Sequence, residues 1–508
     1  MNSTMQGFPD SLGDNEVYIC EVDGRLHKAP ADSPDISRYT NTVDKHPNIV
    51  VTRDMLHGAT NRDEVNRNIF LPVQEPMLKK LVHIWYEQGI VEALHFASDP
   101  ENFESHQPTL VTKSAQFLIN VLDKLSRITI YVGPCQEESG TKLISSLSKT
   151  NDWATSPIRC ISWHPHITKL AVASLDDTIR IYSSESKLVP VLKLRRQRAI
   201  TCMEWRPMTN CELAVACEQV IIIWNIDPHS VVTRPSSNNA HILYASGHTP
   251  IVSLSWSPFG DLLVSAAARD VSIRVWDVDS SRSETLRRSA GGGKSIVCWS
   301  PQGSKLFTAS LGIIFRIWNC TDWTAERWDV GEGRVHTACF SPCGQILLFS
   351  TTTEPTIYAL RSNAEGIWAN NNENSPQLAM PVLNLSRDEK SNFGGGLIRN
   401  ICWSPLGTHL AILFRESKSV AIFNTISHPI LKITPCCIVN GLEYERPCAI
   451  AFQPNFEHGS CLTIAWGSGR IQYFPLVTSS LVIRSAPSIY REQLDSSIRN
   501  ASSFRSFS

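Results

Sequence analysis

The residues that could bind a phosphate are a glycine-rich stretch, Gly-Gly-Gly-Lys-Ser at 291–295. This stretch matches the end of a phosphate-binding loop, but the full pattern needs a glycine at position 288, where the chain has Arg288. The pattern also needs a helix after the loop, whereas residues 295–299 alternate as a strand does. We therefore interpret the stretch as a turn and predict no nucleotide site and no other cofactor.

Cysteine and histidine are the side chains that most often bind transition metals. Cys339 and Cys343 span a predicted strand and its turn, and the adjacent Cys436 and Cys437 would point to opposite sides of a strand. A His-Pro-His turn lies at 164–166. None of these groups joins a second pair of ligands at zinc spacing, so we predict no metal and interpret the thiols as small buried hydrophobes.

Nucleophilic catalysis has no recognisable motif in this chain. There is no Gly-x-Ser-x-Gly sequence, and Gly-Ser-Gly at 467–469 is typical of a hairpin turn. Isolated histidines and aspartates do not define a triad without a nucleophile. We therefore predict no catalytic residues and no enzymatic activity.

The most basic segment is Lys-Leu-Arg-Arg-Gln-Arg at 193–198, directly before a predicted strand. It is either a solvated loop, a docking patch for an acidic partner or a nuclear import signal. The predicted partner contacts are Arg195, Arg196, Arg198, Arg287 and Arg288.

Composition limits the classes of protein that remain. The 508 residues are 42% hydrophobic, enough for a large core, and carry 47 Lys and Arg against 48 Asp and Glu. This balance argues against nucleic-acid binding through overall charge. No apolar run approaches the roughly 18 residues of a spanning helix, and the first residues are neither basic nor apolar. We expect no direct membrane insertion and no secretory signal.

An internal repeat organises most of the chain. Seven aromatic residues, each followed two positions later by proline, recur at steps of 41 to 63 residues. The blades of a β-propeller repeat about every 40–45 residues, so the longer steps need insertions. The aromatic residues, predicted to anchor successive blades, are Trp163, Trp205, Trp256, Trp299, Phe340, Trp403 and Phe452.

Each repeat reads as several strands. Residues 251–256 alternate apolar and polar, Pro258 and Gly260 suit a turn, and a second strand follows. A third strand ends in an aromatic residue 18 to 21 positions after each anchor. Such a unit cannot bury both faces alone, so the repeats must stack and close radially. The sequence predicts an all-β, seven-bladed WD-repeat β-propeller over 151–484.

The third repeat carries the WD signature, Gly-His at 247–248 and Trp-Asp at 276–277. In WD repeats a histidine, a serine, an aspartate and a tryptophan form a hydrogen-bonded chain. By resemblance, the members of this chain are His248, Ser265, Asp270 and Trp276.

The flanking segments are predicted with less regular structure. Residues 1–70 are mostly irregular, with one strand-like run at 17–20. Residues 71–150 form a partly helical extension, whose strand-like run at 127–132 could complete the last blade, as could 481–483. The Ser-rich residues 485–508 are typical of a disordered tail.

Several linker and turn motifs within residues 75–476 resemble the aladin family of WD-repeat nucleoporins. They are Trp-His-Pro-His at 163–166, Gly-His-Thr-Pro at 247–250, the stretch 323–328 and Trp-Gly-Ser-Gly-Arg-Ile at 466–471. The resemblance implies a non-catalytic scaffold of the nuclear pore complex that supports transport of protein and mRNA. Its partners would be other nucleoporins, including a membrane-embedded one as anchor, with no direct nucleic-acid contact.

The same resemblance implies a location in the nucleus, at the pores of the nuclear envelope, with some protein in the cytoplasm. The alternative function is a substrate-recognition subunit of a ubiquitin ligase or a chromatin complex.

Overall fold

Alternating apolar segments form most of the strands in the computed structural model of this chain. The residues that the structure describes are 4–9, 16–30, 47, 49–51, 140–184, 188–226, 235–287, 292–361, 379–387, 395–442 and 444–478. Before the ring lie a 3₁₀ turn (Thr4–Gly7), a hairpin of β1 (Glu16–Val22) and β2 (Arg25–Pro30), and a helix, α1 (Gly140–Leu147).

The repeats form seven blades, and the strands of each blade follow one another from the inner edge of its sheet to the outer edge. Blade one contains β3 (Ile158–Trp163), β4 (Lys169–Ser174), β5 (Ile179–Ser183) and β6 (Val191–Leu192); blade two contains β7 (Cys202–Trp205), β8 (Glu212–Ala216), β9 (Ile221–Asn225) and β10 (Ala240–Leu243); blade three contains β11 (Ile251–Trp256), β12 (Leu262–Ala267), β13 (Ile273–Asp277) and β14 (Arg282–Leu286). Blade four contains β15 (Lys294–Trp299), β16 (Lys305–Ser310), β17 (Ile314–Asn319) and β18 (Thr324–Asp329); blade five contains β19 (Val335–Phe340), β20 (Ile346–Thr351), β21 (Thr356–Arg361) and β22 (Met380–Asn384); blade six contains β23 (Ile398–Trp403), β24 (His409–Phe414), β25 (Ser419–Ile426) and β26 (Lys432–Asn440); blade seven contains β27 (Pro447–Gln453), β28 (Gly459–Trp466) and β29 (Ile471–Val477).

The inner strands close a ring. Each inner strand contacts the inner strands of both neighbouring blades, and β27 of blade seven contacts β3 of blade one. Each of the seven predicted anchor aromatics ends or nearly ends an inner strand and is buried. The predicted seven-bladed β-propeller is therefore confirmed, and its core lies between the blades because each sheet has two apolar faces.

The N-terminal hairpin completes blade seven. Strand β1 pairs in parallel with β29, with Glu21 opposite Leu476, and β2 pairs with the other edge of β1. Residues 1–70, predicted as mostly irregular, thus supply the strand beside β29. The two segments for which we predicted this role, 127–132 and 481–483, lie outside the described residues.

A buried carboxylate joins this hairpin to blade six. Glu21 is 5% exposed, and its Oε2 accepts a hydrogen bond from Cys436 Sγ at 2.9 Å and lies 3.7 Å from His409 Nε2. Burial opposes ionisation of Glu21, but its contacts with His409 and Cys436 outweigh burial and hold the pKa of the carboxyl below its usual value. The closing strand is therefore fixed by a polar contact as well as by backbone pairing.

The antiparallel order gives the ring two distinct faces. Successive strands run in opposite directions, so the start of each inner strand, the turn between the second and third strands, and the end of each outer strand lie on one side. We call this side the upper face.

The chain divides into two compact units, one of Met1–Leu56 with Thr141–Ser508 and one of His57–Gly140. The second unit lies almost wholly outside the described residues, as do the helical pattern predicted after residue 76 and the tail at 485–508. Among the described helices, none has the length and apolar character needed to cross a membrane.

We predict that Glu21→Ala weakens ring closure. The change leaves the buried Cys436 thiol without its acceptor and the buried His409 without its nearby carboxylate, which costs about 1–3 kcal/mol. Chemical denaturation should therefore show a lower free energy of unfolding. Glu16→Ala on the same strand is the control, because Glu16 makes only an exposed ion pair with Lys28 at 3.5 Å, worth about 0–1 kcal/mol. Equal losses in the two variants would contradict a special role for Glu21.

Candidate interaction face

A hydrogen-bonded chain crosses blade three from its upper loop to its third strand. His248 lies 2.7 Å from Asp270 Oδ2 through Nδ1 and 2.8 Å from Ser265 Oγ through Nε2. Trp276 Nε1 donates to the same Ser265 Oγ at 2.9 Å. Because the indole takes the acceptor side of the hydroxyl, the serine proton points to Nε2, and the imidazole donates from Nδ1 to the carboxylate. Burial, partly offset by Asp270, lowers the pKa of His248, which favours this neutral form.

In blade two, different residues form the hydrogen bonds that join the upper loop to the third strand. Gln197 stands eight residues before the anchor Trp205, as His248 stands before Trp256. Trp224 Nε1 donates to Gln197 Oε1 at 3.0 Å, and Gln197 Nε2 donates to the carbonyls of Asp177 (2.8 Å) and Leu192 (3.2 Å). The loop before β7 is thus fixed from inside by one amide.

The arginines predicted as partner contacts surround that buried amide or end an outer strand. Gln197 is 3% exposed, whereas its neighbours Arg195, Arg196 and Arg198 are exposed. Arg287 follows β14 directly and is exposed as well, so all four lie on the upper face. Arg288 lies outside the described residues.

Several anchors also bind one blade to the preceding one. Trp163 Nε1 donates to Thr463 Oγ1 of blade seven at 2.9 Å. Trp205 Nε1 donates to the carbonyl of Ser162 at 3.2 Å, and Trp256 Nε1 to that of Glu204 at 3.3 Å. These bonds hold the inner strands in register, so the loops they carry are rigidly mounted.

Helix α1 and the segment after it cover the upper end of the central channel. Ile144 and Trp153 pack against Val252 and Ala268 of blade three. Lys149 interacts electrostatically with Glu204 of blade two and with cysteines of blades four, five and six.

Three of the side chains considered for metal binding have other partners. Cys436 donates to Glu21, and Cys343 Sγ lies 3.2 Å from Ser341 Oγ. His164 Nε2 lies 3.0 Å from the carbonyl of Thr209, and burial lowers the pKa of His164 to about 4. Within the described residues, no three side chains of His, Cys, Asp and Glu form a group that could hold a metal ion. The glycine-rich stretch leads into β15, a strand, at Lys294.

The ring, its hydrogen-bonded supports and its loop-bearing upper face define a WD-repeat β-propeller scaffold. The family model of the Aladin seven-bladed propeller matches residues 139–477, and the chain belongs to that family. It is therefore a nucleoporin-like WD-repeat protein.

Individual proteins match this chain over different lengths. Aladin of Arabidopsis thaliana is 27% identical over 352 residues, which cover 64% of this chain and 76% of that protein. Protein HIR1 of Cryptococcus neoformans is 26% identical over 195 residues, 34% of this chain but 22% of that protein. The β-propeller domain of Cps50 (Swd1) from Myceliophteria thermophila is 15% identical, with a TM-score of 0.49 and coverage of 62% and 96%.

Glu204, on the inner strand of blade two, is a half-buried titratable residue. Its Oε2 accepts the backbone N–H of Trp256 at 3.0 Å. Burial raises the pKa of Glu204 to about 8, against the lowering effects of that hydrogen bond and of Lys149. The folded protein therefore holds this proton more tightly than the unfolded chain does.

We predict that Glu204→Gln removes a pH dependence of stability. The raised pKa means that the wild type is destabilised progressively as pH rises from the ordinary glutamate value to about 8. The glutamine keeps the acceptor for Trp256 but carries no charge, so its advantage in thermal unfolding should grow over that interval and then level off. Glu16→Gln, on an exposed strand position, is the control; an identical pH profile of Glu204→Gln and wild type would contradict the assignment.

Proposed function

We propose that this protein is a non-catalytic scaffold subunit of the nuclear pore complex that supports nucleocytoplasmic transport. Other nucleoporins hold it at the pore, and a membrane-embedded nucleoporin serves as its anchor. Membership of the Aladin propeller family supports the place of action. The observation that carries the mechanism is the exposed arginine loop of blade two, mounted on the buried Gln197.

A rigid ring suits this task because it lowers the cost of binding. The hydrogen-bonded inner strands hold the upper loops in place before a partner arrives, so little conformational entropy is lost on docking. Arginine presents five donors in a planar fork and binds carboxylates in pairs of hydrogen bonds. The loop at Arg195, Arg196 and Arg198, together with Arg287 and the adjacent Arg288, would contact acidic side chains of a nucleoporin.

We predict that reversing the charge of this loop releases the protein from its partners. A tagged Arg195→Glu/Arg196→Glu/Arg198→Glu variant should lose much of the punctate nuclear-rim signal of the wild type and recover fewer nucleoporins on affinity purification. The matched control is Arg282→Glu/Arg327→Glu, because both residues are exposed on outer strands away from the loop. This control should keep the rim signal.

The location at the pore and the contact through the arginine loop are contradicted by different results. A wild-type protein spread evenly through the cytosol, or one that co-purifies with ubiquitin-ligase or chromatin subunits and no nucleoporins, would overturn the pore assignment. A triple variant that stays at the rim with the same partners would show that the contact lies elsewhere on the ring.

A further inference from the structure

A cavity of about 950 Å³ opens on the upper face beside α1. Its walls come from α1, from the connection to β3, and from the upper ends of blades one, six and seven. The cationic side chains in this wall are Arg159, Arg399, Arg415, Arg446 and Lys142. The carboxylates that share the wall are Asp152 and Glu416.

Arg159 is a buried cation with unused donors. Arg159 is 8% exposed, and Cζ of its guanidinium lies over the Trp153 ring, 3.7 Å from the centroid. Trp153 is held by a hydrogen bond from its Nε1 to the carbonyl of Ile200 at 3.3 Å. Within the described residues, Nε and Nη1 of Arg159 have no hydrogen-bond partner. A buried charged donor without an acceptor is costly, so an anion that reached this guanidinium would relieve that cost.

Arg399 supplies a second buried cation. It is 5% exposed and donates to the carbonyl of Thr150 from Nε (3.1 Å) and Nη2 (2.9 Å), and to that of Ser145 from Nη2 (2.8 Å). These bonds connect α1 and the segment after it to blade six. They do not pair the positive charge of Arg399 with a carboxylate within the described residues. Burial, followed by repulsion from Arg415, lowers the pKa of Arg399 to about 10.

The nearby His336 is also surrounded by positive charge. A smaller cavity of about 150 Å³ shares Arg415 and Ser146 with the large one and is lined by His336. Burial and then the charges of Arg399, Arg334 and Arg415 lower the pKa of His336 to about 3. The imidazole is therefore neutral among cations, and the region as a whole carries an excess of positive charge.

No compensating ion pair offsets this excess within the described residues. The five cations of the cavity wall face two carboxylates, and none of the five lies within 4.0 Å of a carboxylate oxygen there. The protein's overall balance of charge makes this local excess more notable, because the chain as a whole has a net charge of -1. A multivalent anion bound in the cavity would offset the repulsion among these five cationic side chains.

We propose that this cavity binds a compact polyanion carrying several phosphate groups, such as a polyphosphorylated inositol, either free or as a lipid headgroup. Its volume lies within the roughly 300–1,000 Å³ of small-molecule sites. Arg159 and Arg399 lie buried in its wall, while Arg415 and Arg446 are exposed at the rim, so several phosphates can be contacted at once. A linear acidic peptide spreads its charges along its length, whereas these guanidinium groups converge on one space.

Titration calorimetry of the full chain with inositol hexakisphosphate at physiological ionic strength tests the site. We expect saturable binding of one molecule per chain and a higher melting temperature in its presence. Arg415→Glu/Arg446→Glu should lower the affinity about ten- to hundredfold, the effect of losing charged hydrogen bonds. Both side chains are exposed and make no hydrogen bond within the described residues, so the variant should fold.

The control is Arg282→Glu, the same chemical change at an exposed position of an outer strand and outside the cavity wall. It should bind inositol hexakisphosphate nearly as well as the wild type. Arg159→Met, which removes the unused buried donors, should lose affinity if it melts as a folded protein. Equal losses in the rim variant and in Arg282→Glu would mean diffuse attraction to a basic surface and would overturn the proposal.

Two further experiments distinguish a free inositol phosphate from a lipid headgroup, and a phosphate ligand from an acidic peptide. Vesicles containing phosphatidylinositol 4,5-bisphosphate, compared with phosphatidylserine vesicles of equal charge, test a lipid headgroup, and soluble inositol 1,4,5-trisphosphate should compete with them. Binding of soluble inositol hexakisphosphate without specific vesicle binding supports a free ligand. No binding in either arm, or displacement of inositol hexakisphosphate by poly-glutamate at lower concentration, would overturn the assignment to phosphate.

Discussion

Ring closure is the constraint on which the rest of this structure depends. Each sheet has two apolar faces, and only a blade on either side can bury both, so the first and last blades must meet. Contact between β27 and β3 satisfies this requirement, and β1 adds the strand beside β29. The hairpin is then secured to blade six through Glu21, a buried carboxylate between His409 and Cys436. Strands far apart in sequence are therefore held together in one closed ring.

Closure also determines where the polar groups can act. Because the blades are packed on both faces, the groups that remain available lie in the loops and at the strand ends. His248 in blade three and Gln197 in blade two support their loops from inside with different side chains at the same repeat position. The loops are therefore rigid although their sequences diverge, which suits a scaffold whose partners bind at fixed points.

Charge is distributed unevenly over this frame. The whole chain is nearly neutral, yet the upper face gathers arginines both around Gln197 and around the cavity beside α1. The exposed arginines of blade two suit a protein partner, whereas the buried guanidinium groups of Arg159 and Arg399 suit a small ligand that can reach them. One face can thus serve two binding events of different chemistry.

The sequence by itself determined the number of blades and the anchors, because strands and turns follow from residue spacing over a few tens of positions. The members of the WD chain came from the resemblance to WD repeats. The sequence also located the basic loop at 193–198. It indicated a short strand at 17–20 but not its pairing, because the partner strand β29 lies some 450 positions later. Nor did it reveal the cavity, although Arg159, His336 and Arg399 all stand four residues before an anchor, a regularity that aligning the repeats would expose. Arg415 and Arg446 do not stand four residues before an anchor, so aligning the repeats would not find them. Only closure of the ring brings blades one, six and seven around α1, because convergence of distant side chains is a property of the tertiary structure and not of local spacing.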